Sequence, residues 1–264
     1  EKGGFFMKIF TLRARTLLPL AAVGGALLLG LAAVFLVPPV QSAFSSTSGR
    51  QLPIYSVQTD EKKAALGINC AWDDADILPM ISTLQEYDVK ATFFLLGEWA
   101  AKYPAAARTI ALAGQEIGSH ANTHRDLDTL SEEEILQEIA SSCQNIEESC
   151  GTRPVLLRPP SGSYNDTVIQ CIHRSGCIPI QWNLDTLDWQ GLSAEEIAAR
   201  VSRQLQPGSI LLLHAGAEYS AEALPLILQT ARQMGYQLVP VGELIDPDSD
   251  TVDHTGMQLA ASAS

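Results

Sequence analysis

The chain has 264 residues, 46% of them hydrophobic, which is enough to bury one sizeable core and predicts one domain of about 200 residues with appendages. Its formal net charge of −13 at pH 7 argues against a nucleic-acid partner, because phosphate binding requires clustered Lys and Arg. The charge fits a soluble domain that meets neutral or basic ligands.

Residues 17–37 form an uncharged apolar run of 21 residues, preceded by cations and followed by two prolines. A helix of this length rises about 30 Å, enough to cross a bilayer, and the cations indicate that residues 1–16 lie on the cytoplasmic side. We therefore expect a single-pass membrane anchor with the domain outside the cytoplasm. A cleaved signal peptide is the alternative, disfavoured because its apolar region usually has about 7–15 residues.

Polar segments flank the predicted domain, which spans residues 62–245. Residues 38–61 are rich in small and polar residues, a composition that predicts a linker. Residues 246–264 are polar, small and poor in aromatic side chains. We expect them to form a flexible tail.

The five cysteines are an odd number for an exported chain. This number is compatible with two disulfides among Cys143, Cys150, Cys171 and Cys177, in one of three connectivities, with Cys70 left over. The alternative is that all five are free thiols.

Apolar strand patterns alternate with helical patterns through the domain. The predicted strands span 64–69, 89–95, 116–119, 155–158, 178–183, 209–214 and 237–241. The predicted helices span 77–87, 98–113, 131–149, 165–175, 193–204 and 221–234. Because parallel neighbours need crossover helices, this order predicts an α/β fold, a distorted seven-stranded (β/α) barrel, with an open doubly wound sheet as the alternative. No Gly-x-Gly-x-x-Gly follows the first strand, so nucleotide binding has no support.

Polar residues stand at the ends of these strands, where a barrel places its chemistry. They are Asn69, Cys70, His120, His124, Arg158, Asp185, Asp188 and His214. Among them, His120 and His124 are four residues apart, and on a helical turn this spacing puts both imidazoles on one face, where they can bind a divalent ion. Two solvated loop histidines are the alternative, since this spacing alone is a weak signal.

Five segments match the motifs of a known family in order and spacing. They are VKATFFLLG at 89–97, GQEIGSH at 114–120, RPPSGSY at 158–164, DTLDW at 185–189 and GSILLLH at 208–214. Through these motifs, residues 62–244 resemble the NodB-homology domain of polysaccharide deacetylases (carbohydrate esterase family 4), particularly the membrane-anchored sporulation-type members. The resemblance implies a hydrolase that removes acetyl groups from N-acetylated amino sugars of peptidoglycan or a chitin-like polysaccharide, cleaving amide bonds other than peptide bonds.

The resemblance also implies the roles of the site residues. In that family an Asp-His-His set holds a divalent metal, usually zinc, and by resemblance His120 and His124 are ligands here. A bound cation lowers the pKa of a water towards about 7 and stabilises the oxyanion. His214 would protonate the leaving amine, tuned by Asp188, while Arg158 would orient the catalytic base.

Four further residues are implied to bind the substrate. Trp189 and Leu212 would wall the pocket that receives the acetyl methyl group, and Ser161 and Tyr164 belong to the third motif. Structural alternatives exist, because Arg158 also suits a strand-end ion pair and Trp189 also suits the core.

The first strand departs from the family pattern, which has Thr-Phe-Asp-Asp there. The family usually has about 23 residues between its first Asp and the Thr of Ala-Thr-Phe-Phe, and counting back from Thr92 gives Asn69, whereas Asp73 is only 19 residues away. Asn69 therefore replaces the base, and Cys70 replaces the ligand Asp.

Cys70 can take the place of that ligand because a thiolate is itself a good zinc ligand. A Cys70-His120-His124 site with an open fourth position would favour zinc over magnesium or manganese. The alternative is that Cys70 is a small buried residue that packs beside Trp72.

Two interpretations follow, because an amide cannot accept a proton at neutral pH. In the first, the domain is a metal-dependent deacetylase whose hydrolysis is reduced or passes to a neighbouring carboxylate such as Asp73, Asp74 or Asp76. In the second, it is a catalytically impaired module that binds a glycan or a partner. Loss of a base typically costs about 10²–10⁴-fold in rate, so residual catalysis is compatible with the sequence, and we favour the first interpretation.

Overall fold

The computed structural model describes residues 50–249 and 251–260. The predicted cytoplasmic segment 1–16, the predicted anchor 17–37 and residues 38–49 of the predicted linker lie outside the described residues. Within the described ranges, none of the helices is both long enough and apolar enough to cross a membrane. From Arg50 onward, the described residues belong to one compact unit.

Strands and helices alternate along this unit. The strands are β1 Ser56–Val57, β2 Lys63–Cys70, β3 Thr92–Leu95, β4 Glu116–Ser119, β5 Leu156–Leu157, β6 Ile178–Pro179, β7 Leu184–Asp185, β8 Ile210–Ala215, β9 Gln237–Val239 and β10 Met257–Gln258. The helices are α1 Ile77–Glu86, α2 Gly97–Lys102, α3 Pro104–Leu112, α4 Glu132–Cys150, α5 Asp166–Arg174, α6 Ala194–Gln204, α7 Ser220–Gln233 and α8 Val241–Leu244. Short 3-10 turns follow three of the strands, at Leu127–Thr129, Pro160–Gly162 and Asp188–Gln190.

Strand β2 lies at the centre of the main sheet. Seven strands run in the order β6-β5-β4-β3-β2-β8-β7, and β9 pairs with the first residues of β2. All of these pairings are parallel, and the sheet curls into a half-barrel. The predicted parallel α/β barrel is confirmed in this open form, and residues 64–70 are all buried, as expected of a central parallel strand.

The prediction of one strand over residues 178–183 is wrong. Its first residues form β6 at one edge of the sheet, and the chain then crosses to β7 at the other edge. Ile54 occupies this crossing, where its N–H donates to the Pro179 carbonyl at 2.9 Å and its carbonyl accepts from Gln181 at 2.7 Å. Pro179 has no N–H to donate, so it is a poor residue with which to continue a strand.

The predicted linker and tail are shorter than expected, because residues 50–61 and 251–260 pack on the domain. Strands β1 and β10 pair in parallel, and Ile54 is buried in the core. Gln258 is also buried, and its amide donates to two backbone carbonyls at 2.7 and 2.8 Å. Two-residue strands carry no periodic pattern, so the sequence does not predict them.

Local signals explain where several helices begin and end. Ser131 and Glu134 form the predicted capping box of α4. Gly176 and Gly235, with φ of 76° and 78°, follow the last turns of α5 and α7, as predicted. The predicted helix 98–113 is two helices, because Pro104 begins α3.

All five cysteines are free thiols. Cys143 and Cys177 lie in one buried cluster between α4 and α5, and the Cys177 thiol donates to the Pro154 carbonyl at 3.7 Å. The predicted alternative without disulfides therefore describes this structure.

Candidate active site

The carboxyl ends of the parallel strands bring the predicted polar residues to one edge of the sheet. Asn69, in β2, lies in register with His214 of β8. His120 directly follows β4, and Arg158 directly follows β5, where its N–H donates to the carbonyl of Ser119 at 2.8 Å. Residues far apart in sequence thus meet at this edge of the sheet, and we call this site the pocket.

Arg158 lies at the base of this pocket and is 0% exposed. Its Nη1 donates to Oδ1 of Asn69 at 3.0 Å, and its Nη2 donates to the carbonyl of Gln181 at 3.2 Å. Its Nε has no hydrogen-bond partner among the described residues. The ring centres of Phe94 and Trp182 lie 4.1 and 5.5 Å from the guanidinium carbon, so the cation is packed against aromatic rings.

The guanidinium of Arg158 is therefore a buried cation between neutral groups. Gly67 makes room for it, since a Cβ atom at that position would lie 2.5 Å from Nη2. Burial lowers the pKa of Arg158 to about 9, while the charge of Asp185 acts in the opposite direction. The guanidinium remains charged at pH 7, and the ion pair considered as an alternative for Arg158 is not among the salt bridges of the described residues.

Asn69 connects this cation to the first histidine. Because a guanidinium can only donate, the Asn69 amide presents its oxygen to Arg158 and its Nδ2 to His120, 3.3 Å from Nε2. Nδ1 of His120 lies 2.7 Å from the Arg158 carbonyl oxygen and must carry the proton of that hydrogen bond. Burial, with a smaller contribution from His124, holds the pKa of His120 well below its usual range, so the ring is neutral with its Nε2 lone pair towards Asn69.

The predicted helical turn for the histidine pair is wrong. His120 is buried at the end of a strand, and His124 is exposed on the loop that follows, with left-handed backbone at Ala121 and at His124 itself. The two rings nevertheless meet edge to face, with centroids 5.2 Å apart. The loop conformation, rather than helical spacing, brings them together.

Glu138 of α4 holds this loop, and the sequence analysis did not identify it. Its carboxylate accepts from the N–H groups of Asn122 and Thr123 at 3.0 and 2.9 Å and from the Thr123 hydroxyl at 2.7 Å. A carboxylate on the buried face of a helix is the signal that could have identified it, since buried charges need such partners.

Cys70 does not join the histidines. It is the last residue of β2, and successive strand residues point to opposite faces, so its side chain lies opposite to that of Asn69. Cys70 is 0% exposed in the main hydrophobic cluster, with Ile77 and Trp99. Burial raises the pKa of its thiol, which opposes formation of the thiolate that zinc requires. The predicted Cys-His-His site is therefore not assembled, and the alternative of a small buried cysteine describes the arrangement.

His214 and Asp188 form a tightly bonded pair on the other side of the pocket. Nδ1 of His214 donates to one carboxylate oxygen of Asp188 at 2.8 Å, and the backbone N–H of His214 donates to the other at 2.7 Å. Trp189 N–H and the hydroxyl of buried Ser220 donate to the same carboxylate. Burial favours the neutral acid, but the hydrogen bond from His214 and the others outweigh it and hold the pKa of Asp188 below its usual value.

Two exposed tryptophans flank this pair. Trp72 packs on the imidazole of His214, with ring centroids 5.3 Å apart, and remains 48% exposed. Trp189 directly follows Asp188 and is 52% exposed, so the core alternative for it is wrong. Both side chains therefore present apolar ring surface to solvent.

The other predicted substrate-binding residues are distributed differently. Leu212 is buried in β8, on the same strand face as His214. Ser161 is exposed, with left-handed backbone in the turn after β5. Tyr164 is half-buried, and its hydroxyl bonds to that of Tyr55 at 2.9 Å.

The carboxylates considered as substitute bases follow β2. Asp73 accepts from the N–H of Ala75 at 3.0 Å, and Asp76 accepts from the N–H of Gly216 at 2.9 Å. Asp74 is exposed. The bonds of Asp73 and Asp76 fix the loop under Trp72, so these two carboxylates have structural roles.

The side chains of this pocket do not fit a three-ligand metal centre. In residues 50–249 and 251–260, no group of three His, Cys, Asp or Glu side chains is arranged to hold an ion. Two neutral imidazoles are present, but Cys70, at the position of the ligand Asp, faces the core, and the neighbouring Asn69 carries an amide. Zinc sites in proteins take at least three protein ligands, so the pair alone predicts weak binding.

Comparisons with known proteins find similar sequences in one family. The sequence model of the polysaccharide deacetylase family matches residues 57–178. A peptidoglycan-N-acetylglucosamine deacetylase of Bacillus cereus is 31% identical over 182 residues, which cover 67% of this chain and 66% of the relative. This chain spans between 40% and 66% of the length of several curated relatives that it matches.

Solved structures are similar as well. A carbohydrate esterase family 4 pseudoenzyme from Bacillus anthracis is 33% identical with a TM-score of 0.72, covering 75% of this chain and 70% of that one. A mutant of that pseudoenzyme with restored enzymatic activity is also 33% identical, with a TM-score of 0.71 and coverages of 75% and 72%.

The buried position of Cys70 predicts that this thiol does not contribute to zinc affinity. Cys70→Ala should leave the zinc affinity of the full-length chain within about twofold of wild type, because the thiol lies in the core. His124→Ala should lower it at least about tenfold, because one of only two donors is lost. Competition with a chromophoric chelator measures both, and a large loss in Cys70→Ala would return Cys70 to the metal site.

Proposed function

This chain belongs to the polysaccharide deacetylase family, and we propose that it recognises acetylated amino-sugar glycans of the cell wall but hydrolyses their acetamide groups poorly. The observation that carries the proposal is the 3.0 Å hydrogen bond from Arg158 to the amide oxygen of Asn69. Members of the family act on peptidoglycan or chitooligosaccharide and generally depend on a divalent metal. We assign the poor hydrolysis to the half of the site that must accept a proton.

That half lacks a base. The Asn69 amide cannot accept a proton at neutral pH, and its nitrogen faces His120. His120 is the imidazole next to Asn69, but it is buried and its Nε2 lone pair accepts from that amide. Loss of a general base typically slows such a reaction by about 10²–10⁴-fold.

The half that donates a proton is complete. Nδ1 of His214 is engaged by Asp188, which leaves Nε2 on the opposite side of the ring. The buried, ionised Asp188 fixes the orientation and tautomer of the His214 ring through Nδ1, and Ser220 keeps the carboxylate oriented. This arrangement suits a group that protonates a leaving amine, and it also suits a hydrogen-bond donor to a bound sugar.

Recognition of a glycan is supported by the exposed rings of Trp72 and Trp189. Sugar rings present apolar C–H faces that pack on aromatic side chains, while their hydroxyls bond to nearby polar groups. The Trp72 ring packs on His214, and Trp189 directly follows Asp188, so a glycan on these rings would lie next to the His214–Asp188 pair. The peptidoglycan deacetylase of Bacillus cereus supports a cell-wall amino sugar as the ligand.

Retained hydrolysis is a second candidate function, favoured by the intact His214–Asp188 pair. Asn69→Asp tests it, because this change supplies a carboxylate opposite His214 and a counter-charge for Arg158. Our proposal predicts that acetate release from acetylated chitooligosaccharide or peptidoglycan rises by about 10²-fold over wild type. This increase lies within the rate enhancement that a general base typically supplies. The assay is run with and without added zinc.

Gln233→Glu is the matched control, since it makes the same change of charge at the exposed end of α7. It should leave acetate release at the wild-type level. Wild-type activity equal to that of Asn69→Asp would contradict the proposal and favour the retained hydrolase. Asn69→Asp combined with His214→Ala should return to the wild-type level, because the proton donor is then missing.

We also propose that residues 17–37 anchor the domain outside the cytoplasm, based on their length and lack of charge. Protease added to the outer face of intact cells should then digest the domain and spare the anchor. A soluble, released form beginning near Ala43 would contradict this and indicate a cleaved signal peptide instead.

A further inference from the structure

Asn69 and His214 are neighbours in the middle of the sheet. Their strands, β2 and β8, pair in parallel, and the two residues are in register. Neighbouring strands lie about 4.8 Å apart, and residues in register point to the same face of a sheet. The imidazole of His214 is therefore carried next to the position that lacks a base.

The surroundings of His214 fix the proton of its ring on Nδ1. That nitrogen lies 2.8 Å from a carboxylate oxygen of Asp188, which can only accept when it is ionised. The carboxylate also accepts from the backbone N–H groups of His214 and Trp189 and from the hydroxyl of Ser220. In the neutral ring Nε2 then keeps its lone pair, and this nitrogen has no hydrogen-bond partner among the described residues. The side chain is 15% exposed, so a small molecule can reach it.

Other acceptors near the pocket are engaged elsewhere. The lone pair of His120 accepts from the Asn69 amide, whose nitrogen is 3.3 Å away. Asp73 and Asp76 accept from backbone N–H groups. The Asp188 side chain is 0% exposed. None of these four groups is therefore placed to take a proton from a water molecule in the pocket.

Two exposed groups remain as competitors. His124 lies on the loop after β4, where Asp126 acts on its ring electrostatically. Asp74 lies on the loop after β2. Among the described residues, neither is oriented by another side chain through a hydrogen bond, whereas His214 stands on a strand and is oriented by Asp188.

We infer that His214 serves this pocket as the general base as well as the proton donor. Nε2 takes a proton from a water molecule while the water oxygen bonds to the acetyl carbon. The imidazolium then gives this proton to the leaving nitrogen as the carbon–nitrogen bond breaks, which releases acetic acid and the amine and restores the neutral ring. In Ser-His-Asp hydrolases one carboxylate-oriented imidazole likewise performs both transfers. This inference rests on the proposed function, since it names the group that supports the remaining slow hydrolysis.

An aryl ester separates the two roles of His214. The leaving group of 4-nitrophenyl acetate departs as a stable anion, so its hydrolysis requires a base but no proton donor. The ester is added to the full-length chain in the presence of a chelator, and the saturable release of 4-nitrophenolate is measured.

The expected results differ between two backgrounds. In the wild-type background, His214→Ala should lower the saturable rate at least about 10²-fold, because the base is lost. In the Asn69→Asp background, the same change should alter the rate less than about threefold, because the new carboxylate accepts the proton. Activity of the double variant also shows that His214→Ala leaves the fold intact.

Asp188→Asn provides a second test of the pair. It keeps the imidazole but replaces the acceptor by an amide that can donate to Nδ1, which moves the ring proton to Nε2. The ester rate in the wild-type background should then fall at least about tenfold. His254→Ala is the matched control, since it removes an exposed imidazole near the end of the chain, and it should leave the rate unchanged.

An unchanged ester rate in His214→Ala, equal losses in both backgrounds, or no saturable hydrolysis by wild type would each overturn the inference. A larger loss in His124→Ala or Asp74→Asn than in His214→Ala would also overturn it, by assigning the base to one of these residues. Failure of the proposed function is seen separately, as equal acetate release from the glycan by wild type and Asn69→Asp.

Discussion

The structure of the pocket depends on how one buried guanidinium is accommodated. Arg158 needs the missing Cβ of Gly67, the rings of Phe94 and Trp182, and two neutral acceptors to remain inside the domain. A buried charge is costly to leave unpaired, and its usual partner is a carboxylate. In this chain the hydrogen-bonded side-chain partner is an amide, so the bond that holds the guanidinium brings no counter-charge with it.

Amide hydrolysis requires two proton transfers, and an amide in place of a carboxylate at Asn69 affects only the one that accepts a proton. The donor, His214, belongs to β8 and is fixed by Asp188, which Ser220 holds in turn. The side-chain hydrogen bonds of Asn69 go instead to His120 and Arg158. The acceptor would belong to β2 and is absent. Because the two halves are built on different elements, one can be lost while the other remains in place together with the exposed ring of Trp72.

Much of the fold and part of the site follow from sequence patterns. Alternating apolar segments predict the parallel sheet, and counting back from Thr92 places Asn69 where the structure sets it against Arg158. Other features have no such signal. The division of residues 178–183 depends on tertiary pairing at two sheet edges, and the left-handed loop at His124 depends on Glu138. The position of Cys70 was predictable in principle, since strand alternation turns it away from Asn69.

The central claim, that recognition persists while hydrolysis is impaired, is tested most directly by one NMR experiment on the wild-type chain with an N-acetylated amino-sugar oligomer. Broadening of the acetyl methyl signals reports binding, and the free acetate signal reports hydrolysis in the same tube. The account predicts saturable broadening with little acetate over many hours. Rapid growth of the acetate signal would contradict the claimed impairment, and unchanged methyl signals at high protein concentration would contradict the claimed recognition.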